Sequence, residues 1–215
     1  MARHRAKRGP FVVTLRVGGI VLCGGQSTRM GTAKASLPFG GEPMVTRVAR
    51  VLSTVVQPII VVAAAGQELP TLGPMVRCVR DHRSQCGPLE GMRAGLVELQ
   101  GAVDAAYVTG CDVPLLVPEF VTKLISYLED HDAAIPRTIQ YWHPLSAIYR
   151  VTVLPYVEER LMAGKLRMQE LVESLRVREV GADQLRDVDP VLDSLRNVNH
   201  PAEYRAALAN HIKSQ

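Results

Sequence analysis

Aromatic side chains are scarce. They make up 5% of 215 residues, with a single tryptophan, so the core must be aliphatic. Long apolar runs are also missing: no stretch reaches the roughly 18 residues that a membrane span needs. No apolar segment of adequate length precedes a small-residue cleavage site, so the opening residues do not read as a signal peptide. Cysteine occurs only at positions 23, 78, 86 and 111. No two are spaced C-x-x-C and no histidine pair stands beside them, which argues against a zinc site and for a reduced, cytoplasmic protein. The sequence lacks the Gly-Lys-Ser/Thr close of a Walker A loop and the G-x-G-x-x-G of a dinucleotide fold. No Ser-His-Asp or Cys-His set demands a nucleophile.

Hydrophobic residues, in contrast, amount to 47% and charged residues to 21%, which suits one globular domain and excludes wholesale disorder. The net charge of +4 is carried by Arg3, Arg5, Lys7 and Arg8, and the rest of the chain is balanced. Residues 1–10 are therefore expected to be a disordered basic tail ahead of a domain over 11–215. A nucleic-acid or membrane patch is the other reading of such a tail, but neither nucleic acid nor membrane is expected as a partner.

The remaining pattern alternates. Short apolar runs at 17–23, 59–62, 76–79 and 105–109 read as strands. Helical spacing appears at 44–55, 89–99 and 120–128. Further strands are expected at 133–135, 145–150 and 176–180, and further helices at 151–162, 168–175 and 202–211. Such alternation predicts an α/β fold with a mainly parallel sheet and helices on both faces.

The most informative stretch leaves the first strand: Leu22-Cys23-Gly24-Gly25-Gln26-Ser27-Thr28-Arg29-Met30-Gly31-Thr32-Ala33-Lys34. Ligands bind at the carboxyl ends of strands in open α/β sheets. Its glycines let backbone N–H groups converge on phosphate oxygens. Arg29 adds a planar fork suited to phosphate and Lys34 a mobile charge.

This loop, with Leu37-Pro38-Phe39-Gly40-Gly41-Glu42-Pro43-Met44 after it, resembles the signature of nucleotidyltransferases with a Rossmann-like fold. Within them it is most similar to the molybdenum cofactor guanylyltransferase family. Gly87-Pro88-Leu89-Glu90-Gly91-Met92, Thr109-Gly110-Cys111-Asp112-Val113-Pro114, His143-Pro144-Leu145 and Asn197-Val198-Asn199-His200-Pro201 follow in the family's order. The resemblance implies a single nucleotidyltransferase domain that joins GTP to molybdopterin and releases pyrophosphate. It implies catalytic roles for Arg29, Lys34 and Asp112, with Asp112 holding Mg²⁺. It implies nucleotide contacts from Leu22, Cys23, Gly24, Gly25, Lys34, Asp81, Gly87 and Asp112. Asn197 and Asn199 contact the pterin or order the site, or else tie a late loop by side-chain hydrogen bonds, and His143 either meets substrate or shapes a turn. The implied protein partners are molybdoenzymes or other cofactor-biosynthesis proteins.

Two positions depart from the family. Ala33 precedes Lys34 where an aspartate is frequent, and Ala63 stands where an asparagine is usual. Gly24-Gly25 favours GTP over CTP, because cytidylyl relatives carry Ala-Gly there and the smaller residue leaves room for a purine. Cytidylyl or sugar-phosphate transfer, and a nucleotide-binding protein without turnover, are the alternatives.

Overall fold

The structure is a computed structural model and describes residues 15–24, 34–81 and 86–213. The basic segment 1–10 lies outside them. Four strands run parallel: β1 (Val17–Leu22), β4 (Ile59–Ala64), β5 (Val76–Asp81) and β6 (Ala105–Gly110). A two-stranded hairpin, β2 (Pro38–Phe39) with β3 (Glu42–Pro43), stands apart from the sheet. β7 (Ala133–Arg137), β8 (Ser146–Arg150) and β9 (Val177–Gly181) complete a seven-stranded sheet of order β5-β4-β1-β6-β8-β7-β9. β8 alone is antiparallel to its neighbours.

The strands read as continuous apolar runs because both faces are covered. Successive residues of a strand point to opposite faces. Val21, Ile59, Val61, Ala63, Ala105 and Tyr107 belong to one core with α1 (Met44–Leu52) and α3 (Pro118–Ser126). Ile20, Ile60, Val62, Ala106 and Val108 belong to the other, with α2 (Gly87–Leu99), α4 (Leu154–Met162) and α5 (Met168–Val172). The helix expected over 151–162 divides: Val151–Val153 forms a 3₁₀ turn and α4 starts at Leu154, with Pro155 in its first turn, where a missing N–H costs nothing. α1 ends three residues short of expectation, in a hydrogen-bonded turn over 53–56. Among the described residues no helix is long and apolar enough to cross a membrane.

α2 lies unusually close to β1. A Cβ on Gly91 would come within 3.0 Å of Leu22 Cδ2, and one on Gly95 within 2.7 Å of Ile20 Cγ2. Absence of these side chains lets the helix seat on the strand.

A third, smaller core holds the carboxyl-terminal helix α6 (Pro201–Lys213). It contains Phe39, Met44, Val198 and Ala207. Tyr204 meets the Phe39 ring edge-on at 6.2 Å and donates its hydroxyl to the Pro38 carbonyl. His211 lies 5.4 Å from the same ring, with Nδ1 3.4 Å from Arg47 Nη2. Arg47 also donates from Nε to the Pro114 carbonyl at 2.7 Å. The β7–β8 connection is shaped by His143, whose N–H donates to the Pro136 carbonyl at 2.9 Å and whose Nε2 lies 3.3 Å from Thr138 Oγ1.

Two stability predictions follow from this packing. Gly95→Val should destabilise the fold by about 1–3 kcal/mol or more, because branched carbons are forced against a buried isoleucine. Urea unfolding of wild type and variant measures it, and unchanged stability would show that α2 can lift off β1. Burial lowers the pKa of the His143 imidazole. Burial and then the Arg47 charge lower that of His211. Both folded values thus sit below the ordinary 6.5. The folded state binds fewer protons than the unfolded one, so stability is full above pH 6.5 and falls as pH drops below it. Melting temperatures from pH 5 to 8 should show this slope, flattened in His143→Gln.

Candidate active site

β1 is the strand at which the sheet order reverses. β4 and β5 lie to one side and β6 to the other, so the connections leave in opposite directions and open a crevice at the carboxyl ends. Up to that edge β1 is bonded both ways: Cys23 N–H donates to the Val62 carbonyl at 2.8 Å, and Cys111 N–H to the Leu22 carbonyl at 3.0 Å. Leu22, Cys23 and Gly24 therefore sit at the crevice on a fixed backbone. A Cβ added to Gly24 would meet no atom of the described residues within 4 Å.

Asp112 stands two residues beyond β6. Its carboxylate folds back over Gly110, occupying the place where a Cβ would project. Lys34 opens a 3₁₀ turn over Lys34–Ser36. Its Nζ lies 3.1 Å from Asp112 Oδ2 and 2.7 Å from Asn199 Oδ1. The lysine and aspartate side chains are only 19% and 17% exposed, so solvent screens this pair less than a surface pair. Asn199 is placed in turn by Glu203. That carboxylate accepts the N–H groups of Asn199 at 2.7 Å and His200 at 3.0 Å, and these two bonds, Asn199's first, hold its pKa below the usual carboxylate range. Val198 N–H donates to the Asp112 carbonyl at 2.8 Å, fixing the same loop to the end of β6. The Asn199 side chain thus ties its loop to Lys34. Asn197 is exposed.

The loop before Val198 is secured from below. Asp189 is 2% exposed and accepts from the N–H groups of Asp193 and Ser194, both at 2.9 Å. Ser194 Oγ accepts from Val117 N–H at 3.0 Å, and its carbonyl accepts from Ser146 Oγ at 3.2 Å.

Asp81 ends β5 on the same edge of the sheet, beyond β4. Gly87 begins α2 at φ +61°, a backbone that side chains resist. The amino terminus of α2 faces the carboxyl edge, since the helix runs back from the end of β5 to the start of β6. In its first turn the wholly buried Glu90 receives Arg93 at 2.7 and 2.9 Å. Arg29 and Gly25 lie outside the described residues. The described contacts of His143 keep it within its own hairpin.

Cys23 and Cys111 are buried side by side at the ends of β1 and β6. Hydrogen bonding with the Cys111 thiol, then burial, pushes the Cys23 thiol up, which keeps it protonated and un-nucleophilic. A cluster of three potential ligands, Glu129, Asp130 and His131, lies just before β7, at the opposite end of the sheet. In the crevice the hard oxygens of Asp112 and Asn199 already converge on one cation, the Lys34 ammonium. A carboxylate and oxygen ligands of this kind suit a small divalent ion that retains water and phosphate ligands.

Sequence reasoning missed three contributors. Glu203 stands three residues after His200, which immediately precedes α6, the spacing of a helix-start cap and a readable signal. Asp189 and Gln67 (treated below) carry no motif and are visible only in three dimensions.

The resemblance in the loops extends over the chain. Residues 19–180 match the family model of the MobA-like NTP transferase domain. A probable molybdenum cofactor guanylyltransferase from Pelotomaculum thermopropionicum is 35% identical over 190 residues, covering 88% of this chain and 90% of the relative. A molybdenum cofactor guanylyltransferase from Desulfosudis oleivorans is 32% identical over 195 residues, covering 90% and 95%. The crystal structure of molybdopterin-guanine dinucleotide biosynthesis protein A from Archaeoglobus fulgidus matches with a TM-score of 0.76 at 23% identity, covering 91% of this chain and 99% of its own. That last likeness speaks for the fold. With the ordered motifs, the crevice at the strand reversal and relatives matched along nearly their whole length, the chain belongs to the MobA-like NTP transferase family.

Proposed function

We propose that this chain transfers GMP from GTP to molybdenum-molybdopterin, forming the guanine dinucleotide cofactor and releasing pyrophosphate. The observation that carries the reading is the Lys34 ammonium on Asp112 and Asn199 at the mouth of the crevice, in a chain with guanylyltransferase relatives. The acceptor is a phosphate monoester, already ionised near pH 7. Its attack on the α-phosphate of GTP needs no general base. Catalysis reduces to alignment and charge neutralisation.

Each residue has a part in that task. Leu22, Cys23 and Gly24 offer a rigid backbone to the nucleoside, with Gly25 continuing the loop. Asp81 and Gly87 border the nucleotide from β5 and α2. Lys34, with Arg29, neutralises charge on the triphosphate and on the leaving pyrophosphate. Asp112 would hold Mg²⁺, with Asn199 as a neighbouring oxygen; the ion, when bound, supplies further positive charge to phosphate oxygens. We place the enzyme in the cytoplasm, in keeping with four free cysteines, and name molybdoenzymes or other cofactor-biosynthesis proteins as its protein partners.

Asp112→Asn keeps shape and removes charge. It should lower transfer by at least about a hundredfold while leaving the melting temperature near wild type. Radiolabelled GTP with Mg²⁺ and molybdopterin measures it, and near-normal turnover would refute the role.

Base choice is tested at Gly24. No atom of the described residues lies within 4 Å of a Cβ built on this residue, so on this reading a methyl group there meets the nucleoside rather than the described core. A purine should suffer more than a pyrimidine. Gly24→Ala should lower kcat/KM for GTP by roughly 10–200-fold, the discrimination available from one methyl group, with CTP use unchanged or increased. A wild-type preference for CTP, or a GTP/CTP ratio that does not fall, would replace guanylyl with cytidylyl transfer.

A further inference from the structure

The ladder between β1 and β4 stops one rung early, and a side chain fills the gap. Gly19 N–H donates to the Pro58 carbonyl at 2.9 Å and Cys23 N–H to the Val62 carbonyl at 2.8 Å. The register runs from Gly19 opposite Ile59 to Leu22 opposite Val62. In a parallel pair of this phase the next bond would pass from Ala64 N–H to the Cys23 carbonyl. It is not made. Ala64 N–H donates to Gln67 Oε1 at 3.1 Å, and Gln67 Nε2 donates to the Cys23 carbonyl at 3.1 Å. The side-chain amide accepts from one strand and donates to the other, as an intervening peptide group would.

The amide is held in place from behind. Gln67 N–H closes a turn onto the Ala64 carbonyl at 3.1 Å, with Gly66 at φ +75°, the conformation a type II turn requires at that position. Arg80, on β5, donates from Nη1 to the carbonyls of Ala64 at 3.3 Å and Gln67 at 2.5 Å. The two strands are thus kept apart by the width of one amide at their carboxyl ends, beside Gly24.

We infer that Gln67 is a positioning residue for the nucleotide: it splays β1 from β4 and fixes the Cys23–Gly24 peptide at the nucleoside end of the crevice. The inference rests on the nucleotidyl-transfer reading above. Without the amide, Ala64 N–H and the Cys23 carbonyl either close on each other or take up water, and the peptide shifts in both cases.

The test uses the full chain with Gln67→Met, similar in length but without the amide hydrogen bonds, and Gln67→Glu. Steady-state kinetics with GTP and with molybdopterin, fluorescent GTP- and CTP-analogue binding, and melting temperature are measured together. Gln67→Met should raise KM for GTP and weaken analogue binding by about tenfold, with kcat within about twofold and KM for molybdopterin unchanged, the scale of one or two lost hydrogen bonds. Gln67→Glu keeps an acceptor for Ala64 N–H but turns a carboxylate oxygen toward the Cys23 carbonyl, so its nucleotide affinity should fall at least as far as that of Gln67→Met, again with KM for molybdopterin unchanged. Unchanged nucleotide affinity in Gln67→Met overturns the inference. So does a parallel loss of both substrates together with a lower melting temperature, which would mark a merely structural role. A wild type that binds the CTP analogue instead refutes the guanylyl reading alone, and the effect of Gln67→Met on that nucleotide still decides the wedge.

Discussion

One ammonium group gathers the site. Lys34 comes from the turn after the phosphate loop, Asp112 from the end of β6 and Asn199 from the segment before α6, and the three meet within 3.1 Å. Sequence separations of 78 and 165 residues are closed at that point. The fold is arranged to allow it. β6 must lie beside β1, the β2–β3 hairpin must present Phe39 to α6, and the loop over 189–198 must return across the sheet. Each of these is secured by apolar burial or buried hydrogen bonds away from the ammonium itself. The charged group is therefore positioned by structure that does not depend on its charge.

This separation matters for the chemistry. A lysine held by two oxygens keeps a crevice meant for polyanions from presenting a bare carboxylate. On the function proposed above, an entering triphosphate would offer the ammonium a stronger set of acceptors, and its flexible stem would let it move to them. The carboxylate and the Asn199 oxygen would then be left as hard ligands in a partly buried setting. Attraction and repulsion are thus balanced before substrate arrives, as electrostatic preorganisation requires.

Much of this was legible in the chain because parallel strands buried on both faces leave an unambiguous apolar signature. Ile59–Ala64 and Ala105–Gly110 are such runs, and the glycines and Asp112 that follow them mark the carboxyl edge. The β2–β3 hairpin was not legible: two-residue strands carry no periodicity, and Phe39 is buried by a helix more than 160 residues away. Asp189 was silent for a related reason. It caps two backbone N–H groups of its own loop, and many aspartates in turns look alike until burial separates them. Arg29 and Lys34 were equally visible as phosphate ligands, yet only Lys34 falls among the described residues.

Gln67 shows where legibility ends. A glutamine three residues past a strand resembles any polar loop residue, and the half-exposed position gives no further hint. Its meaning lies in two main-chain groups whose ladder bond is absent. Backbone donors and acceptors near a sheet edge must be satisfied somewhere, so a missing rung identifies the side chain that replaces it. The same accounting separates the two sides of β1. Toward β6 the last rung joins main chain to main chain, and toward β4 an amide intervenes. On the inference drawn above, the amide holds the crevice open on the β4 side. That is the side on which Asp81 and the start of α2 stand, and Lys34 and Asp112 stand across β1 from it. An asymmetric opening of this kind gives a dinucleotide-forming enzyme one edge for the nucleoside and another for the reacting phosphates.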